Sequence, residues 1–142
     1  VRFVLMPGQR FDTVGVVQFS YMRQLFQPRA WYKLVPDRDH KVLTAGFGTF
    51  SETDSIDTDS YATAAATPDG KLVIAYLPGI RKVTINMAKL SGPVTAQWFD
   101  PTNNTLTAIA GSPFAHSGRR AFTPPGINQA GDRDWVLVLT AG

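Results

Sequence analysis

The stretch from 61 to 101, YATAAATPDGKLVIAYLPGIRKVTINMAKLSGPVTAQWFDP, limits the folds open to this chain more than any other. Short runs of strand-forming residues are separated by Pro-Asp-Gly at 68–70, Leu-Pro-Gly at 77–79 and Ser-Gly-Pro at 91–93, and the last run ends in Trp-Phe-Asp-Pro at 98–101. Strands of this length, with turn residues at this spacing, predict an antiparallel sheet. Pro68 presets φ and Gly70 supplies a positive one, so 61–67 and 71–78 form a hairpin. Leu72, Val73, Ile74 and Ala75 make a continuous apolar run, the pattern of a central strand covered on both faces. In 81–87, Val83, Ile85 and Met87 alternate with Lys82, Thr84 and Asn86; in 94–99, Val94, Ala96 and Trp98 oppose Thr95, Gln97 and Phe99. Both are half-buried strands. Ala62, Ala64, Ala65 and Ala66 crowd one run with small side chains, which predicts another backbone packed closely against it.

Further strands are expected at 41–50, 105–110, 119–123 and 134–140. Gly46 and Gly48 in the first of these predict a bend or a close backbone approach. The total is about eight strands after residue 40, with long connections only at 111–118 and 124–134, and the fold class expected is mainly β, a two-layer antiparallel β-sandwich. Adjacent Arg119 and Arg120 must point to opposite faces of their strand. One of them is expected to pair within the fold, with an aspartate as the natural partner.

The first forty residues follow a different pattern. A short buried strand at 1–6 is closed by Pro7-Gly8. From Asp12, a reasonable N-cap, Val14, Val17, Tyr21 and Leu25 fall at helical spacing, as do Val14, Gln18, Met22 and Phe26, until Pro28 stops the helix. One amphipathic helix needs an apolar partner surface. Either it lies across the sandwich, or this segment is the tail of a preceding domain. Residues 29–40, RAWYKLVPDRDH, read as a linker, with Trp31 and Tyr32 as packing pins that hold the connection.

Composition narrows the function. No run approaches the roughly 18 apolar residues that cross a bilayer, so a soluble protein with no membrane partner is expected. Lys and Arg exceed Asp and Glu by 14 to 11. The positive residues are dispersed and without interleaved aromatics, which argues against nucleic acid as a partner. The absence of cysteine removes disulfides, thiolate metal sites and a Cys nucleophile, and leaves the compartment open. The opening VRFVLMPGQRF has too short an apolar run to read as a signal peptide, so an export signal would stand upstream.

No catalytic constellation emerges. The two histidines, His40 and His116, follow no nucleophile-elbow pattern, and His116 sits in what reads as a surface loop. Asp100, Asp132 and Asp134 qualify for paired-carboxylate hydrolysis by type alone, and Asp100 before Pro101 reads better as a turn starter. Asp54, Asp57 and Asp59 in the polar stretch 51–60 are weak calcium candidates, because their spacing lacks the glycine and terminal glutamate of an EF-hand loop. No nucleotide motif and no cofactor site is expected. If the chain binds a ligand, the candidate residues are Trp31, Tyr76, Trp98 and Arg119, with Trp98 in a strand where core packing competes.

The series TPDGKLVIAYLPGIRKVTINMAKLSGPVTAQWFDPTNN, SPF at 112–114, FTPPG at 122–126 and DWVLVL at 134–139 resembles the module known as the putative collagen-binding domain of a collagenase. That module follows an apiosidase-like glycoside hydrolase barrel, and the helix through Leu25 and Phe26 with RAWYKLVPD resembles the barrel's last helix and its exit. The resemblance implies that 1–35 are the strand and helix remnant of a (β/α) barrel with its linker and that 36–142 are the sandwich. It further implies a secreted or periplasmic bacterial parent. None of the barrel's catalytic carboxylates maps onto this sequence. The expected role is therefore a non-catalytic accessory module of a glycoside hydrolase-like enzyme, packing on the catalytic barrel and stabilising it. The alternative is a module binding polysaccharide or a collagen-like protein through exposed aromatics.

Overall fold

The computed structural model describes residues 14–48 and 61–142. The expected strand at 1–6, the Asp12 cap and the stretch 51–60 lie outside them. Helix α1, Val14–Phe26, comes first. A 3-10 turn at Trp31–Lys33 leads to nine strands: β1 Val35–Pro36, β2 Leu43–Ala45, β3 Thr63–Ala66, β4 Leu72–Leu77, β5 Val83–Asn86, β6 Val94–Asp100, β7 Thr105–Ala108, β8 Arg119–Phe122 and β9 Trp135–Ala141. They form two antiparallel sheets, one of six strands in the order β1-β3-β4-β9-β6-β7 and one of three in the order β2-β5-β8. The chain is mainly β and a two-layer sandwich, as its alternation predicted.

The core lies between the sheets. Val73, Ala75 and Leu77 of β4, Ala96 and Trp98 of β6, and Trp135, Leu137 and Leu139 of β9 meet Leu43, Val83, Ile85 and Phe122 from the smaller sheet. Trp98 and Trp135 meet edge to face at 6.4 Å, a favoured geometry for two buried rings. The alternation read in 81–87 and 94–99 puts Val83, Ile85, Met87, Val94 and Ala96 fully inside.

A second apolar layer covers the other face of the large sheet. Leu72 and Ile74 of β4, Phe99 of β6 and Val136 and Val138 of β9 pack with Leu25, and Tyr21, Met22 and Phe26 close around them. The unbroken apolar run of β4 therefore has the two-sided cover that it predicts, with α1 as the outer cover. The Asn104 amide donates to Gln24 Oε1 at 2.9 Å and ties the helix to the β6–β7 turn. Arg29 donates to the Leu25 carbonyl at 2.5 Å, a cation on the carbonyl end of the helix.

Turns follow their residue chemistry. Thr67, buried, accepts from the N–H groups of Lys71 and Leu72 and donates to Asp69, while Gly70 N–H closes on the Thr67 carbonyl at 3.0 Å. The Thr67 hydroxyl and the Lys71 N–H hold the Asp69 carboxyl below its ordinary value. This is the Pro-Asp-Gly hairpin, with Ala66 opposite Val73.

The structure amends two expectations. Residues 29–40 are not only a linker, because β1 within them pairs with β3, Val35 opposite Ala66; a two-residue strand that includes a proline carries too little pattern to read as one. Within the described part of the strand expected over 41–50, 41–48, only Leu43–Ala45 is strand, since Gly46 takes φ +82 and lies against the backbone of β5. A Cβ at Gly46 would run into the Lys82 carbonyl oxygen. Gly46→Ala is accordingly expected to lower unfolding free energy by about 2–4 kcal/mol, through positive-φ strain and overpacking together. Urea denaturation measures it, and a loss below about 0.5 kcal/mol would contradict the close approach.

Candidate functional site

The structure scatters the four candidate ligand-binding residues. Trp98 is 5% exposed and belongs to the inter-sheet core. Tyr76 is half-buried on the outer face of β4, and its hydroxyl donates to Asp134 Oδ2 at 3.4 Å. Arg119 is exposed on β8, an edge of the small sheet. Trp31 is 55% exposed in the 3-10 turn after α1. Asp54, Asp57 and Asp59 fall outside the described residues.

Trp31 does not stand alone. Tyr32 is 71% exposed, Val35 55% and Phe19 56%, so the segment from α1 into β1 repeatedly turns large apolar groups outward. The burial expected of Trp31 and Tyr32 as packing pins is not found, because the sandwich offers no surface over them. The two rings meet edge to face, 6.2 Å apart at 85°. They do not form a coplanar platform.

The carboxylates are committed to loops. Asp100, buried, accepts at Oδ1 from the Thr102 N–H and hydroxyl, and at Oδ2 from Gln129 N–H. It starts the turn, as its place before Pro101 predicts, and it also holds the loop 124–134. Asn128, also buried, donates to Asp134 Oδ1 at 2.8 Å and accepts from Ala130 and Asp132 N–H. Trp135 Nε1 donates to the Gly126 carbonyl at 2.7 Å. The Asp100 and Asp134 carboxylates thus serve a loop frame, which Asp132 joins through its backbone N–H and carbonyl.

Burial pushes the Tyr76 phenol up to about 12, and the neighbouring Asp134 carboxylate adds to the effect.

One recess, about 140 Å³, opens between the β1–β2 turn and β3, lined by residues that include Asp37, His40, Leu43, Tyr61 and Ala64. His40 has φ +52, its ring stacks on Phe47 at 3.6 Å and 5°, and its Nε2 lies 3.0 Å from the Tyr61 hydroxyl. His40 Nδ1 is buried without a hydrogen-bond partner among the described residues. The Asp37 carboxylate accepts from the N–H groups of Lys41, Val42 and Leu43, so it caps the start of β2. The recess can seat a small apolar group against aromatic walls. The setting of His40 has no local sequence signal, because Phe47 reaches it only through the turn at Gly46 and Tyr61 lies beyond the stretch 51–60. Among the described residues, no group of three His, Cys, Asp or Glu side chains could hold a metal ion, and no helix is long and apolar enough to cross a membrane.

A family model described as "Putative collagen-binding domain of a collagenase" matches residues 52–140. The chain belongs to this collagen-binding-domain family. Two solved structures share its fold. One, described as a glycoside hydrolase family 5 protein from Bacteroides vulgatus ATCC 8482, superposes with a TM-score of 0.71 at 21% identity, over 92% of this chain and 25% of its own. The other, described as a glycoside hydrolase, gives 0.69 at 19% identity, over 97% of this chain and 30% of its own. The chain thus spans less than a third of either protein. No curated protein sequence matches it. The family's match covers β3 to β9, whereas Trp31, Tyr32 and α1 precede it.

The Tyr76 environment gives a pH prediction. A phenol whose folded pKa exceeds its unfolded value of about 10 keeps its proton better in the folded state, so stability falls as pH rises between about 10 and 12. Tyr76→Phe removes that component. The melting temperature of the variant is expected to decline less steeply than that of the wild type over this window, and parallel profiles would contradict the assignment.

Proposed function

We propose that this collagen-binding-family chain is a non-catalytic accessory module of a bacterial, apiosidase-like glycoside hydrolase. In this reading residues 1–35 are the exit of the preceding (β/α) barrel, 36–142 are the module, and the parent is secreted or periplasmic. The module's work is to pack on the barrel and stabilise it.

The observation that carries the reading is the double-sided apolar character of α1 and its exit. The helix sequence VGVVQFSYMRQLF contains one charged residue, Arg23. A helix apolar around most of its circumference is at home between two layers, and the six-stranded sheet supplies only one. The remaining side, with Phe19, Val17, Trp31, Tyr32 and Val35 outward, has the composition of an interface core, where aromatics are enriched and charges are scarce. Neighbours described as glycoside hydrolases, each more than three times the length of this chain, support a catalytic domain as the other layer.

The second reading, a module for polysaccharide or a collagen-like protein, draws on the family description and on the exposure of Trp31. The perpendicular setting of Trp31 and Tyr32 favours the packing role, since flat sugar or peptide faces are met by parallel rings.

The test replaces Phe19→Asp and Trp31→Asp in the longer, barrel-bearing protein. The barrel's melting temperature is expected to fall by about 5 °C, while the 142-residue chain with the same changes stays within about 1 °C of its own wild type. An unchanged barrel would overturn the packing role. Saturable retention of the chain on insoluble glycan or collagen, lost in Trp31→Ala, would favour the binding reading instead.

A further inference from the structure

The charges of this chain are divided unevenly between its two sheets. The segments that build the three-stranded sheet and its flanks, 41–48, 81–89 and 116–123, contain Lys41, Arg81, Lys82, Lys89, Arg119 and Arg120 and no Asp or Glu. Among the other described residues, the six basic ones, Arg23, Arg29, Lys33, Arg38, Lys71 and Arg133, are balanced by Asp37, Asp39, Asp69, Asp100, Asp132 and Asp134. Within the described residues, the positive excess therefore lies with the small sheet and its flanks.

Strand geometry decides where that excess points. Val83 and Ile85 are buried in the core, so the alternating Lys82, Thr84 and Asn86 turn outward. Asn86 stands opposite Arg119 and Thr84 opposite Ala121, which puts Arg119 and Ala121 on the same outer face. Lys82 and Arg119 lie toward its two ends, roughly 13 Å apart along the strand direction at the usual rise per residue. Small and polar groups, Thr84, Asn86 and Ala121, fill the space between them. Both basic side chains are exposed. Arg120, on the opposite side of β8, sits over the Phe114 ring at 4.1 Å. An aromatic face thus takes the place of the aspartate partner that the sequence led one to expect. Lys41, also exposed, stands at the start of β2, where the adjacent Asp37 carboxylate is engaged by three backbone N–H groups.

We infer that the outer face of the β2-β5-β8 sheet binds an anionic polysaccharide, a glycan chain bearing carboxylate or sulfate groups. The choice of polysaccharide rests on the accessory-module reading, and the anionic character rests on the charge pattern alone. A face with cations at both ends fits an extended polyanion, and the Thr84 hydroxyl supplies a neutral hydrogen-bonding group for sugar hydroxyls, while the Asn86 amide is held by the Ala88 N–H and the Lys41 carbonyl. The outward side chains of β5 and β8 include no aromatic to stack a nucleobase and no large apolar group to enter a lipid surface.

The 142-residue chain is run in affinity electrophoresis at low ionic strength through gels containing polygalacturonate, chondroitin sulfate or neutral hydroxyethylcellulose, with duplex DNA as a competitor. Retardation by polygalacturonate or chondroitin sulfate is expected, the more effective of the two identifying the anionic group, with none in hydroxyethylcellulose and release on raising the salt. The K82E/R119E variant is expected to bind about tenfold more weakly, while K33E/R133E, with the same change in net charge, stays within about twofold. K82Q/R119Q, which removes both charges and keeps polar side chains, is expected to give an intermediate loss at an unchanged melting temperature. No retardation by either anionic glycan, an equal loss in both Glu variants, or displacement by DNA at lower concentration than free glycan would overturn the inference. Such a failure alongside an intact effect of Phe19→Asp and Trp31→Asp on the barrel would leave the accessory-module reading in place.

Discussion

The structure depends on a sheet that is apolar on both faces. At its centre, β4, β9 and β6 send Val73, Leu137 and Ala96 to one side and Ile74, Val138 and Phe99 to the other. A sheet of this kind cannot stand with one face in water, because each fully buried aliphatic side chain contributes about 1.5–3 kcal/mol that exposure would forfeit. It needs a layer on each side. The small sheet is the inner layer, and α1 is the outer one.

Connectivity makes the arrangement cooperative. The chain passes repeatedly between the sheets, and the last strand, β9, enters the middle of the six-stranded sheet between β4 and β6. The core is completed only when the C-terminal residues arrive, so no subset of the strands encloses it. Polar groups then fix the loops that topology leaves long. Asp100 and Asn128 hold 124–134 against the end of the large sheet, Asp37 starts β2, and Thr67 closes the β3–β4 hairpin. Each is a carboxylate, amide or hydroxyl that accepts otherwise unpaired N–H groups, and Asp100, Asn128 and Thr67 are themselves buried. Asp100 and Asp37 are the ones a search for catalytic acids would select by type, and their carboxylates are engaged by loop and strand N–H groups.

Local pattern was readable in the sequence wherever period and turn chemistry coincide. The hairpin at Pro68, the two-sided β4, the alternation of Val83, Ile85 and Met87, the turn at Asp100 and the close approach at Gly46 all follow from such signals. What depends on distant partners was not readable. The pairing of Val35 with Ala66, the docking of Leu25 on Ile74 and Phe99, the stacking of His40 on Phe47 and the seat of Arg120 over Phe114 each join residues whose proximity no local period encodes. The candidate binding residues suffered most from this. An aromatic in a strand and an aromatic in a turn look alike by composition, yet Trp98 went to the core and Trp31 to the surface.

The helix unites the structural and functional accounts. It completes the sandwich through Leu25 and offers a second apolar side through Phe19, continuing into Trp31 and Tyr32, as a component shared between two bodies would. Differential scanning calorimetry of the barrel-bearing protein that we propose tests this most directly. The account predicts one coupled transition, with the module melting well above the temperature found for the 142-residue chain alone. Two independent transitions, the module's at the temperature of the isolated chain, would contradict it.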